Sequence, residues 1–161
     1  MITKDGSFYV WGKNDRGQLG VGNSIGIDMV ESENQPVQIL VGEKGAKIKD
    51  FTPGQNTMLI RDEEDRIYKT GLKIDYTPKE VKVMEEFTKD KKIAGMTCGR
   101  RQYVLWNDQN EMLVWGSVLK EKAIKEVDGF GLHHGSSLFE GGRILDLSMR
   151  YGIFGALIEH Q

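Results

Sequence analysis

One spacing governs this chain. Gly54 and Gly71 stand 17 residues apart, and Gly99 and Gly116 repeat the interval. Between the members of each pair runs one order: three mostly polar residues, an apolar strand, a four-residue polar tip, and a second strand ending on the glycine. Those endings align as Ile67-Tyr68-Lys69-Thr70-Gly71 and Met112-Leu113-Val114-Trp115-Gly116, and Phe8-Tyr9-Val10-Trp11-Gly12 precedes them. Alternating side chains suit half-buried strands, and the closing glycine turns the chain where a Cβ would obstruct it. The segment Ile144 to Ile158 repeats the first half again, with Arg150 in the glycine's place and Phe154 to Ile158 as the strand. Full periods are 59 residues from Gly12 to Gly71 and 45 from Gly71 to Gly116. A constant inner hairpin with variable outer connections is expected where packing fixes the core and leaves the loops free.

Units near 50 residues made of short strands point to propeller blades, since no segment shows sustained helical spacing. The expected fold is all-β: a propeller segment of about three four-stranded blades, with repeats at approximately 5–61, 62–106 and 107–158, part of a larger ring. Residues 23–35 read as a polar excursion between strands. Pro36 opens an apolar run, Val37 to Val41, suited to an outer strand because proline cannot donate to a ladder. Ile48 to Phe51 leads to the Pro53-Gly54 turn, and Thr57 to Ile60 gives the next strand. The acidic tetrad Asp62, Glu63, Glu64 and Asp65 falls where that hairpin turns. Four consecutive side chains do not converge on one ligand, so it reads as a solvated tip. The same position later holds Asn107, Asp108, Gln109 and Asn110, so polarity follows the turn and charge is incidental.

Composition narrows the classes. The 161 residues are 39% hydrophobic and 29% charged, which suits an ordinary packed domain. A formal net charge of −2 supplies no drive toward nucleic acid or an anionic membrane. Cys98, the single cysteine, has no internal disulfide partner and favours a reducing, intracellular compartment. No apolar run approaches the roughly 18 residues of a membrane helix. The opening residues MITKDG lack a secretory apolar core and read as the start of a strand hairpin.

The stretch Tyr9-x-Trp11-Gly12-x-Asn14-x-x-Gly17-Gln18-Leu19-Gly20-x-Gly22 resembles the signature loop of the regulator of chromosome condensation repeat family. Its members are seven-bladed propellers typified by the nuclear exchange factor for the GTPase Ran. The repeat positions the resemblance marks are Trp11, Gly12, Gly17, Gln18, Leu19, Gly20, Gly54, Tyr68, Gly71, Gly99, Trp115 and Gly116. Two departures stand out. The second repeat replaces the glycine loop with Leu72-Lys73-Ile74-Asp75-Tyr76 and runs on to Pro78, and the third loses the loop after Gly116. Family repeats often carry a histidine three residues after the inner glycine, where Thr57, Gln102 and Ile153 stand here. The resemblance implies a protein-binding scaffold, a guanine-nucleotide exchange factor acting on a small GTPase, or the propeller of a ubiquitin ligase; ciliary and cytoskeletal relatives are also known. Degenerate loops favour the scaffold.

Candidate chemistry is sparse. His133-His134 lies in the glycine-rich stretch GFGLHHGSSLFEGG, which reads as a surface loop, and no cysteine or carboxylate cluster at ligand spacing joins it. Ser136 and Ser137 lack a Gly-x-Ser-x-Gly elbow. Gly17 to Gly22 superficially resembles a phosphate loop, but no Lys-Ser or Lys-Thr follows, so a structural loop is expected. Lys89, Lys91 and Lys92 read as solvated. Arg100, Arg101 and Gln102 follow the inner glycine and, with His133 and His134, are the candidate partner-binding residues. Cys98 reads as a small buried residue, and Trp11, Trp106 and Trp115 as packing between blades. No cofactor, metal or catalytic residue is expected.

The sequence opens just ahead of the second strand of one hairpin and stops just after the first strand of another, so the next closing glycine would fall at position 167. Propellers close with 4 to 8 blades. Missing blades are therefore expected from flanking sequence or from another chain, because open blade edges invite strand addition. The partners expected are other protein chains of a larger complex, a small GTPase among them, with no nucleic acid and no membrane insertion.

Overall fold

The computed structural model describes residues 1–22, 32–72, 74–120, 123–150 and 153–160, which form two compact units, Met1–Lys82 and Val83–Gln161. In the first unit, β1 (Phe8–Lys13) pairs antiparallel with β2 (Ser32–Ile39). Beside this pair in sequence comes a four-stranded antiparallel sheet in the order β3 (Ile48–Pro53), β4 (Thr57–Asp62), β5 (Ile67–Gly71) and β6 (Asp75–Val81). The second unit reverses the arrangement. After the one-turn helix α1 (Glu85–Thr88) come β7 (Ile93–Cys98), β8 (Gln102–Asn107), β9 (Glu111–Lys120) and β10 (Ala123–His134) as a four-stranded sheet. The short helix α2 (Gly135–Leu138) leads to the two-stranded pair β11 (Arg143–Arg150) and β12 (Ile153–Glu159).

The sheets are copies of one plan, and their registers show it. The first strand of each sheet carries a bulge at one place: between Ile48 and Asp50, between Ile93 and Gly95, and between Ile144 and Asp146. The residues opposite are Arg61, Trp106 and Leu157. Thr57 and Gln102 pair with the closing glycines Gly71 and Gly116. By the same alignment β11 and β12 are a first and second strand, while β1 and β2 are a third and fourth. Twelve strands therefore stand as two complete sheets and two half-sheets among the described residues.

Packing follows the plan. β4 is buried along its whole length and β8 at every residue but Gln102, as centre strands covered on both faces are. Phe8, Val10, Ile39, Met58, Ile60 and Tyr68 form the core between the β1–β2 pair and the β3–β6 sheet. In the second unit Val104, Trp106, Met112, Ile144 and Leu147 do the same between β7–β10 and β11–β12. Pro36 and Pro78 both lie in outer strands where the ladder shifts register, so their missing N–H breaks no regular bond.

Several sequence expectations change. β2 begins at Ser32, so residues 32–35 belong to a strand, while 23–31 of the expected excursion lie outside the described residues. His133 and His134 are the end of strand β10 and not part of a loop, because the chain after Gly116 runs on as a long hairpin with Ala123 opposite Lys120. The tip at Asp62 is not uniformly solvated. Asp62 is buried, Asp65 is half-buried, and of the four only Glu63 and Glu64 are exposed. Trp11 is half exposed, Trp106 is buried, and Trp115 stacks on Tyr103 within its own sheet at 5.1 Å.

Candidate functional site

At one end of each complete sheet the first and second strands join through a tight turn. Gly54 N–H donates to Thr57 O at 2.8 Å, and Gly99 N–H to Gln102 O at 2.9 Å. In the second unit that turn presents Arg100 and Arg101, both exposed. Arg101 O fits against Gly116, where a Cβ would come closer than 3.0 Å; Asn56 O sits likewise against Gly71. Those two glycines have φ of +103° and +102°, so both backbone conformation and contact exclude a side chain.

The opposite end of the sheets carries the hairpin tips. Asp62 Oδ1 accepts from the N–H of Glu64 and Arg66, at 3.0 and 2.9 Å, while Oδ2 takes Arg66 Nε at 2.7 Å and the Tyr68 hydroxyl at 3.3 Å. Asn107 Oδ1 makes the matching bonds to Gln109 and Glu111 N–H, at 3.1 and 3.0 Å. Burial and the adjacent Asp62 hold the Tyr68 phenol above its ordinary pKa, and the bond to Asp62 raises that of Arg66. Glu111 is nearly buried and is held by Lys91 Nζ at 2.7 Å and Asn107 Nδ2 at 2.7 Å. Burial pushes its carboxyl up, Lys91 and Asn107 pull it down, and the net is below the usual value. Lys91 is thus an ion-pair partner and not a solvated cation. His134 Nδ1 lies 3.9 Å from Glu111 Oε1, and both histidines are exposed.

The candidate residues therefore fall at two ends of one sheet. Arg100, Arg101 and Gln102 are together at the turn, whereas His133 and His134 stand opposite Met112 and Glu111 at the other end, about 17 Å away along a six-residue strand. Among the described residues no group of three His, Cys, Asp or Glu side chains could hold a metal. Cys98 is buried and takes part in no disulfide. Ser137 is exposed in α2, which follows His134 directly.

The glycine loop after β1 is a packing device. Buried Asn14 accepts from Leu19 N–H at 3.0 Å, and Thr70 Oγ1 donates to Gln18 O at 2.6 Å. Gly17 lies under the Tyr76 ring and Gly20 against Thr70 and Pro78, with room for no Cβ at either. The loop thereby fastens the first half-sheet to β5 and β6 and leaves no N–H cradle for phosphate. An open groove of about 1180 Å³ in the first unit, lined by Lys44, Lys47, Arg66 and Lys79 together with Glu63 and Glu80, mixes charges and favours no single-sign ligand.

The two half-sheets carry exposed apolar side chains. Trp11 is 50% exposed, Ile153 74%, Phe154 41% and Leu157 60%.

Sheets of this plan define a β-propeller segment, and the comparisons agree. Residues 5–60 match the regulator of chromosome condensation (RCC1) repeat. Human WBSCR16 superposes with a TM-score of 0.69 at 16% identity over 92% of this chain. Prp20p of Saccharomyces cerevisiae, described with its binding to Gsp1p and histones, superposes at 0.73 with 15% identity over 92%. The same yeast protein bound to Kap60 gives 0.73 and 15%. The chain spans 38–39% of the length of these structures. No curated protein sequence matches it. The chain has the fold of a partial β-propeller, as these structures do, and its residues 5–60 match one RCC1 repeat.

Proposed function

We propose that this chain is a non-catalytic protein-binding module that works inside a larger protein assembly. The observation that carries the reading is the turn after Gly99, which presents Arg100 and Arg101, both exposed, beside Gln102 at one end of a four-stranded sheet. A rigid stack of short strands presents turns at both ends without needing a reactive group. Arg100, Arg101 and Gln102 are the proposed partner contacts at one end, with His133 and His134 at the other. An intracellular setting, cytoplasm or nucleus, suits the lone buried thiol.

A second reading, part of a guanine-nucleotide exchange factor, is favoured by one observation: Prp20p, which shares the fold, binds Gsp1p. The two readings part in one experiment. Fluorescent-GDP release from Gsp1p is measured with and without the chain, alongside direct binding to Gsp1p and to histones. Saturable binding with GDP release unchanged, weakened tenfold or more by Arg100→Glu with Arg101→Glu, is the expected result. Accelerated release would establish the exchange reading in its place, and binding indifferent to both substitutions would move the contact away from that turn.

A further inference from the structure

We propose that Thr77 is a phosphorylation site for a proline-directed protein kinase, the class that selects a hydroxyl immediately before a proline. The site lies in the first unit and goes beyond the binding role of the Arg100–Arg101 turn, so neither depends on the other.

The sequence offers two such pairs, Thr52-Pro53 and Thr77-Pro78. Their surroundings differ in what a kinase requires. A protein kinase takes its substrate as an extended segment laid across its own cleft, so the acceptor must be exposed and its backbone able to leave a sheet ladder. Thr52 is half-buried in β3 and keeps its place in the ladder opposite Leu59. Thr77 is exposed in β6, the outermost strand of its sheet. There the ladder passes from Lys79 opposite Lys69 to Asp75 opposite Gly71, so Tyr76, Thr77 and Pro78 stand where the partner strand has Thr70 alone. This bulge carries Thr77 out of regular pairing. The Pro78 nitrogen has no hydrogen to give a ladder, and a bulge on an outer strand is where that is tolerated.

The segment is held by the glycine loop. Gly22 N–H donates to Tyr76 O at 2.7 Å, and the Tyr76 and Pro78 rings lie against Gly17 and Gly20. Lifting residues 76–78 into a kinase cleft releases these contacts and leaves the pairs at Lys69, Tyr68 and Ile67 in place, a local opening of the sheet's edge. The surroundings also receive the product. Thr77 lines the open groove together with Lys44, Lys47 and Lys79, whose ammonium groups have no ion-pair partner among the described residues. The phosphate brings a charge of about −1.5 to −2 at pH 7, and those cations offset it against the Glu63 and Glu80 carboxylates of the same groove. In the transfer, Thr77 Oγ1 bonds to the γ-phosphorus of ATP as the bond to the ADP oxygen breaks, and the hydroxyl proton passes to the catalytic aspartate of the kinase.

The test treats the folded full chain with ATP and a mitogen-activated protein kinase, and locates phosphate by mass spectrometry. Synthetic peptides spanning each Thr-Pro pair are treated in parallel. Both peptides are expected to be modified, whereas the folded chain takes one phosphoryl group, on Thr77, and none on Thr52. Thr77→Val is expected to abolish labelling of the folded chain, and Pro78→Ala to slow it by about tenfold or more. Circular dichroism verifies that both variants keep the strand content, and Thr77→Val, at an exposed position, keeps the test sound if Pro78→Ala does not fold. A folded chain left unmodified at Thr77 while its peptide is labelled, or labelling of Thr52 to the same extent as Thr77, would overturn the inference.

Discussion

Asp62 and Asn107 occupy one position in successive sheets and accept from the same two backbone N–H groups, so the oxygen is required there and the charge is not. Asp62→Asn is expected to change unfolding free energy by less than about 1 kcal/mol, since an exposed partner such as Arg66 returns little. Asp62→Ala removes the acceptor from two turn N–H groups and is expected to cost about 2 kcal/mol in urea unfolding. Equal effects from the two substitutions would show that the charge matters after all. The closing glycines differ in a way that unfolding also reads. Gly116→Ala meets both a left-handed backbone and the Arg101 carbonyl, for a cost above about 2 kcal/mol, whereas Gly12→Ala meets the backbone strain alone, about 1 to 2 kcal/mol. The repeat made these glycines legible from spacing alone. The burial of Asp62 was not legible, because four polar letters in a row look solvated until Arg66 and Tyr68 fold over one of them.

Each tip is tied to its sheet by a different set of charges, and the second one is sensitive to acid. Glu111 has a folded pKa below its unfolded value, so its contribution is present above roughly pH 4.3, the ordinary glutamate range, and is lost as pH falls through the folded value. Lys91→Met is expected to lower stability at neutral pH and to flatten its decline on the acid side; an unchanged acid limb would mean the pair adds nothing. The bulge pairs illustrate how one plan tolerates different chemistry. Asp50 pairs with Arg61 across the first bulge, while Gly95 leaves room for the Trp106 ring across the second. Gly95→Ala drives a methyl into that ring and is expected to destabilise the second unit by about 1 to 3 kcal/mol, with loss of near-ultraviolet signal from Trp106. Strand order was legible because hairpin spacing is short-range. The extension of β9 and β10 past Gly116 was not, since glycines at Gly129 and Gly131 speak locally for a loop and only cross-strand pairing with Val114 and its neighbours overrides them.

At the scale of the molecule, each of the two units holds one complete sheet and one two-stranded half. Propeller type and blade plan could be read from the repeat, because the spacing of glycines and apolar runs recurs from sheet to sheet. The central claim is that the complete sheet of each unit is its stable core. Amide hydrogen exchange on the chain tests this most directly. Amides of Leu59, Ile60, Val104 and Leu105 in the centre strands are expected to exchange slowest, and those of Ala156 and Leu157 to exchange faster by orders of magnitude. Protection of β12 equal to that of β4 and β8 would contradict it.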